Sequence, residues 1–150
     1  MRIVGAHHTG LSVADLERSL EFYVDMLGCD VLWRREETPP WLQEIVGFPG
    51  CVVKRAQLRI PGGGHVLELL EYATPRGAAV DTHTNNPGTA HLCLLVEDLE
   101  EAYAALRARG ARFRSPPVRI ADGPSRGGLA LYLLDPDGIA VELFQPPRPG

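Results

Sequence analysis

Apolar positions along the first half of the chain follow two different periods. In residues 16–27 they recur every three or four positions, with Asp15 before them as an N-cap and Gly28 after them as a stop, which predicts a helix. Segment 38–50 contains proline breaks and predicts a loop with about one helical turn. Strands are predicted at residues 3–13, 29–36, 51–60 and 65–72, the last two as a hairpin.

The second half repeats this order. A strand at 89–97 is followed by a helix from Asp98 to about Arg109, then by a short strand and a loop at 115–128. A final hairpin is closed by the turn sequence Asp135-Pro136-Asp137-Gly138. Segment 75–88, rich in Thr, Asn, Pro and Gly, predicts a linker. We therefore expect one domain over residues 1–150, made of two modules at about 1–74 and 89–146.

The two halves also match residue by residue. A shift of 74 residues places Glu68 on Glu142 and Leu69 on Leu143. A shift of 83 residues pairs His8 with His91, Leu11 with Leu94, Val13 with Val96, Asp15 with Asp98, Leu16 with Leu99 and Glu17 with Glu100. Such an internal repeat indicates one supersecondary unit used twice, in which each copy completes the apolar core of the other.

Each half contributes one histidine and one glutamate with metal-ligand character: His8 and Glu68, then His91 and Glu142. Alternation along a strand turns these side chains away from the apolar positions that pack on the helices. A carboxylate between apolar neighbours is unfavourable without a charge partner, and a metal ion would supply one. The four residues therefore predict a site for one divalent metal, which Zn, Ni, Co, Mn or Fe could occupy.

Composition excludes several other classes of protein. The chain is 45% hydrophobic and 23% charged, which suits a compact domain, and its formal net charge of −4 argues against a nucleic-acid partner. Three cysteines without CxxC spacing favour neither a disulfide framework nor a zinc knuckle. We see no signal-peptide pattern and no apolar run of membrane-spanning length, so a cytoplasmic protein without a membrane partner is expected.

Three motifs together resemble the vicinal oxygen chelate superfamily, the group of glyoxalases, bleomycin resistance proteins and extradiol dioxygenases. They are H-x-G-L-x-V-x-D-L-E-R-S-L-x-F-Y-x-x-x-L-G from His8 to Gly28, H-x-x-L-x-V-x-D-L from His91, and D-P-D-G-x-x-x-E-L from Asp135 through Glu142. The resemblance implies an α+β fold: two βαβββ modules in tandem, forming a curved mixed-sheet cleft with a helix on the outside of each module. In its ligand set the chain is most similar to glyoxalase I.

The resemblance also implies a chemistry. In such proteins the metal holds two adjacent oxygens of a small substrate and stabilises enediolate charge. A ligand glutamate moves the proton, which gives Glu142 or Glu68 the role of general base. We expect an isomerase, epimerase or lyase acting on a 2-oxo or 2-hydroxy compound or its thioester. The alternatives are an extradiol-type ring-cleaving dioxygenase and a metal-free binder that confers antibiotic resistance.

Substrate contacts are expected from the polar positions of the third strand and from one loop. Arg55, Gln57 and Arg59 alternate with a mostly apolar set and would line the cleft, where they could hold a carboxylate or phosphate; an exposed edge strand is the alternative. Arg126, in a Gly-rich loop, is a candidate lid residue. Exposed sheet edges further predict a homodimer. His7, His65, His83 and Cys93 are interpreted as residues that neither bind metal nor act as nucleophiles.

Overall fold

A computed structural model describes residues 1–148, which fall into two units, Met1–Ala79 and the residues from Val80 onward. The first contains β1 (His8–Ser12), α1 (Leu16–Leu20), β2 (Asp30–Arg35), α2 (Pro40–Val46), β3 (Val52–Arg59) and β4 (Val66–Thr74). The second contains β5 (Leu92–Leu95), α3 (Leu99–Ala108), β6 (Arg112–Phe113), β7 (Val118–Arg119), β8 (Leu129–Leu134) and β9 (Ala140–Gln145). No helix within residues 1–148 is long and apolar enough to cross a membrane.

Each unit has a mixed sheet, so the expected α+β class with two βαβββ modules is confirmed. The first sheet has the order β1-β4-β3-β2, with β1 parallel to β4 and the other pairs antiparallel. The second has the order β5-β9-β8-β6, with β5 parallel to β9, and β7 also pairs with β8. In both, the strand carrying the candidate glutamate lies next to the strand that begins at or just after the candidate histidine.

The two helices of the repeat begin as predicted. Asp15 accepts a hydrogen bond from the Arg18 N–H, and Asp98 accepts one from the Glu101 N–H. After Leu20 the first helix continues as a π-helical segment, Glu21–Met26, and the chain turns at Gly28 with φ 77°. Buried apolar residues of the strands lie under the helices, among them Leu67, Leu69, Val141 and Leu143.

Three predicted boundaries are wrong, for reasons that lie in strand pairing and helix capping. The first strand begins at His8 and not at residue 3, because β4 offers its first partner, Val66, opposite His8. The strand predicted at 89–97 is shortened to Leu92–Leu95, where β9 runs alongside it. The loop 38–50 contains a seven-residue helix, since Pro40 suits a first helical turn and Gly47 closes it with φ 74°. The loop at 115–128 contributes the short strand β7.

A contact that the sequence reasoning missed joins each helix to its sheet. The Glu71 carboxylate accepts a hydrogen bond of 2.9 Å from the Leu16 N–H, and the Gln145 amide oxygen accepts one of 2.8 Å from the Leu99 N–H. The shift of 74 residues that relates the two glutamates also carries Glu71 onto Gln145. Each unit therefore ties the first turn of its helix to the strand three residues after its candidate ligand.

We expect Glu71→Ala to lower the free energy of unfolding by about 1–3 kcal/mol more than Glu71→Gln does, because alanine leaves a buried N–H at Leu16 without an acceptor. Glutamine keeps an amide oxygen there, as Gln145 does in the second unit. Urea denaturation of both variants measures the difference, and equal midpoints and slopes would contradict this role for Glu71. Both substitutions remove the ion pair with Lys54, so that loss does not enter the comparison.

Candidate functional site

In the first unit, His8 and Glu68 lie on the sheet face opposite α1, which we call the glutamate face. The register places Gly10 opposite Glu68, and His8 lies two residues earlier on the same strand. His8 Nε2 is 3.4 Å from a Glu68 carboxylate oxygen, and the Glu68 side chain is only 15% exposed. The other ring nitrogen, His8 Nδ1, is 2.7 Å from Nδ1 of His7. His7 precedes the strand, so alternation does not turn it away from His8 as the sequence suggested.

The second unit has the same arrangement. His91 Nε2 is 3.0 Å from a Glu142 carboxylate oxygen, and the two side chains are 39% and 24% exposed. Glu142 is opposite Cys93 on β5 and opposite Tyr132 on β8. The Tyr132 ring packs edge-on against the His91 ring, with centroids 5.1 Å apart, which restrains the imidazole.

These separations suit a metal ligand set. Two ligand atoms each bound to one first-row metal at about 2.1 Å lie about 3.0–3.4 Å apart, and both histidine–glutamate pairs have that spacing. Neither unit by itself, within residues 1–148, gathers three or more His, Cys, Asp or Glu side chains in a group that could hold a metal ion. Each unit therefore supplies half of a four-ligand shell.

The two glutamates differ in how firmly they are held. Gln57 lies opposite Glu68 on β3 and donates a hydrogen bond of 3.2 Å from Nε2 to the carboxylate. The residue opposite Glu142 is Tyr132, whose pKa is raised by burial and then by the nearby Glu142 charge. Partial burial and Glu142 also raise the pKa of Cys93 to about 11, so its thiol is neutral near pH 7 and is not an activated nucleophile.

Two other histidines have partners of their own. His65 Nε2 is 2.8 Å from the Thr9 hydroxyl, on the helix side of β1. His83 Nδ1 is 2.6 Å from the Asp81 carboxylate, and this bond, together with the backbone bond from His83, lowers the pKa of Asp81 to about 2. Both side chains therefore have roles in local structure.

The four arginine and glutamine candidates for substrate contact fall into different environments. Arg55, Gln57 and Arg59 share the glutamate face of the first unit, as strand alternation predicts. The Arg59 guanidinium is exposed and forms two hydrogen bonds with Asp30, whereas Arg55 is buried. Arg126 is exposed in the loop before β8, within the second unit.

Comparison with known proteins agrees with this fold and donor set. Residues 5–143 match the Glyoxalase/Bleomycin resistance protein/Dioxygenase superfamily, and the chain belongs to that superfamily. It is 29% identical over 147 residues to a 2-epi-5-epi-valiolone epimerase from Actinomyces sp., covering 96% of this chain and 80% of the epimerase. It is 32% identical over 153 residues to a lactoylglutathione lyase from Pseudomonas putida, covering 93% of this chain and 84% of the lyase.

The solved structure of a glyoxalase family protein from Bacillus cereus is similar to this chain with a TM-score of 0.84. The match covers 98% of this chain and 97% of the other, at 20% sequence identity. At that identity the likeness shows the fold alone. The resemblance to the vicinal oxygen chelate superfamily inferred from the sequence motifs is thereby confirmed.

Proposed function

We propose that the protein is a divalent-metal-dependent isomerase, epimerase or lyase of glyoxalase type. Its substrate would be a small 2-oxo or 2-hydroxy compound, or the thioester of one. The observation that carries the proposal is the pair of matched contacts, His8 with Glu68 and His91 with Glu142, at the separations that neighbouring metal ligands adopt. The epimerase and lyase names of the curated relatives support the same class of reaction.

His8, Glu68, His91 and Glu142 would hold one ion of Zn, Ni, Co, Mn or Fe, since mixed imidazole and carboxylate ligands suit all of these. When bound, the ion supplies Lewis-acid stabilisation of the negative charge that develops on two adjacent substrate oxygens. The resting pairs keep the carboxylates next to neutral imidazoles, so the donor atoms are already gathered within each unit.

Glu142 would act as the principal general base and remove the proton from the carbon beside the carbonyl, then return it on the neighbouring carbon or on the opposite face. Glu68 would have the lesser proton-transfer role, because the Gln57 amide holds its carboxylate. Tyr132 and Cys93 surround Glu142 with groups that are neutral near pH 7, which leaves its carboxylate free of competing charge. Arg55, Gln57, Arg59 and Arg126 remain the proposed substrate contacts.

The alternatives differ from this proposal in their use of oxygen and metal. A ring-cleaving dioxygenase would consume oxygen with a catechol, and a resistance protein would bind its antibiotic without turnover. We expect purified protein to contain divalent metal and to exchange the carbon-bound hydrogen of a substrate analogue with deuterated water, without oxygen uptake. Elemental analysis, an oxygen electrode and NMR across 2-oxo aldehydes, 2-hydroxy acids and acyl thioesters test this. Oxygen-dependent catechol cleavage would overturn the proposal.

We also propose that the protein is a cytoplasmic homodimer. Strands β1 and β2 lie at the edges of the first sheet, and apolar side chains such as Leu95, Ile45 and Val118 are exposed by 73%, 74% and 53%. A second copy would cover such surface. Light scattering at micromolar concentration is expected to give twice the chain mass, and a value near 16.4 kDa would contradict the dimer.

A further inference from the structure

Arg55 is the buried cation of the first unit, and it lacks an anion. Its side chain lies on the glutamate face and the residue is 8% exposed. Its Nη2 donates a long hydrogen bond of 3.4 Å to the Glu37 carbonyl oxygen. Its Nε is buried without a hydrogen-bond partner, the one such side-chain nitrogen or oxygen found in residues 1–148.

Neighbouring arginines show the opposite distribution. Arg59 is 57% exposed and Arg34 is 42% exposed, yet each is paired with a carboxylate, Asp30 and Glu17 respectively. Within the described part of the chain, no carboxylate forms an ion pair with Arg55. A buried charge is normally paired, because the loss of water around it is unfavourable without compensation. An anion from outside the chain is therefore expected at this guanidinium.

Two aromatic side chains flank the same group. The Arg55 guanidinium carbon lies 5.6 Å from the Trp33 ring centroid and 5.8 Å from the Trp41 ring centroid. Trp41, on α2, is 55% exposed and is the outer member of the pair. Aromatic faces stabilise a guanidinium and leave its N–H groups for planar, two-oxygen acceptors such as carboxylate and phosphate.

The sheet sets the distance from this cation to the proposed reaction centre. Gln57 is opposite Glu68, and Arg55 follows two residues away on the same face of β3, about 7 Å along the strand. A substrate that reacts beside Glu68 would thus carry its second charged group several bonds from the reacting carbons.

We propose that Arg55, between Trp33 and Trp41, receives a distal carboxylate or phosphate of the substrate. The substrate is then a 2-oxo or 2-hydroxy compound with an acidic group at its far end. This assignment rests on the proposed function for the position of the reacting carbons. Its test measures binding and does not require turnover.

Trp33 and Trp41 are the two tryptophans of the chain, so intrinsic fluorescence reports directly on this group. We would titrate the full-length protein, at constant ionic strength, with 2-hydroxyglutarate and with 2-hydroxyvalerate, which has the same carbon chain without the distal carboxylate. The dicarboxylate should bind about tenfold or more tightly. A third titration, with 3-phosphoglycerate, distinguishes a phosphate from a carboxylate as the preferred distal group.

Arg55→Met should remove this preference, and Arg55→Lys should keep part of it. The matched control is Arg35→Met, which removes an exposed arginine directly opposite Arg55 on β2 and should leave the preference unchanged. If Arg55 has only a structural role, Arg55→Met will lower the melting temperature without altering the ratio of the two affinities, and the assignment is overturned. Under our assignment the melting temperature is unchanged or higher, because an unpaired buried charge is lost.

Repeating the titrations after dialysis against a chelator separates the two proposals. If the preference for 2-hydroxyglutarate persists while metal and solvent exchange are absent in the isolated protein, the anion site holds and the proposed metal chemistry fails. If metal and exchange are present while the three acids bind alike in wild type and Arg55→Lys, the anion site fails and the proposed function stands.

Discussion

Glu142→Gln is expected to lower the rate of hydrogen exchange at the substrate carbon by roughly 10²–10⁴-fold, the usual contribution of a positioned general base. The amide oxygen can still bind a metal, so metal content should fall far less than activity. Measuring exchange by NMR in deuterated water, with metal content determined on the same samples, separates loss of the base from loss of the ion.

Glu68→Gln is the matched control, since it makes the same chemical change at the equivalent position of the other unit. Its effect should be milder, because Gln57 already restrains Glu68 by a hydrogen bond and the related epimerases that the ligand set resembles usually have an amide at that place. Equal exchange rates in wild type and both variants would rule out the proposed proton transfer.

Metal content should fall to near background in His8→Ala and in Glu142→Ala, from about one ion per chain in wild type. Removing one ligand of four from a mixed imidazole and carboxylate shell leaves too few donors to retain the ion through purification. Because the two substitutions lie in different units, loss in both supports one ion shared by both histidine–glutamate pairs.

His83→Ala is the control for this experiment. His83 is 62% exposed and bonded to Asp81, so its removal should leave metal content at the wild-type level. Undiminished metal in both His8→Ala and Glu142→Ala would show that the ion is held elsewhere. Loss in His8→Ala alone would restrict the site to residues of the first unit.

Relative accessibility and hydrogen bonding inside each unit could not be predicted from the sequence. Arg55, Gln57 and Arg59 form one alternating set in the sequence, and β3 does place all three on the glutamate face. Their environments differ because of residues distant in the chain. Asp30 engages Arg59, Glu68 engages Gln57, and two tryptophans cover Arg55. Side-chain alternation is a local property, whereas burial depends on which strand and helix lie alongside.

By itself, the sequence determined the elements, their duplicated order and the four ligand candidates. Helix caps at Asp15 and Asp98, strand alternation and the two registers are written in neighbouring residues, so they can be recognised before the chain is folded. Only the tertiary structure decided where β1 and β5 begin and which arginine is left buried without an anion. Strand ends depend on the partner strand, and the pairing of a charge depends on side chains brought together from distant parts of the chain.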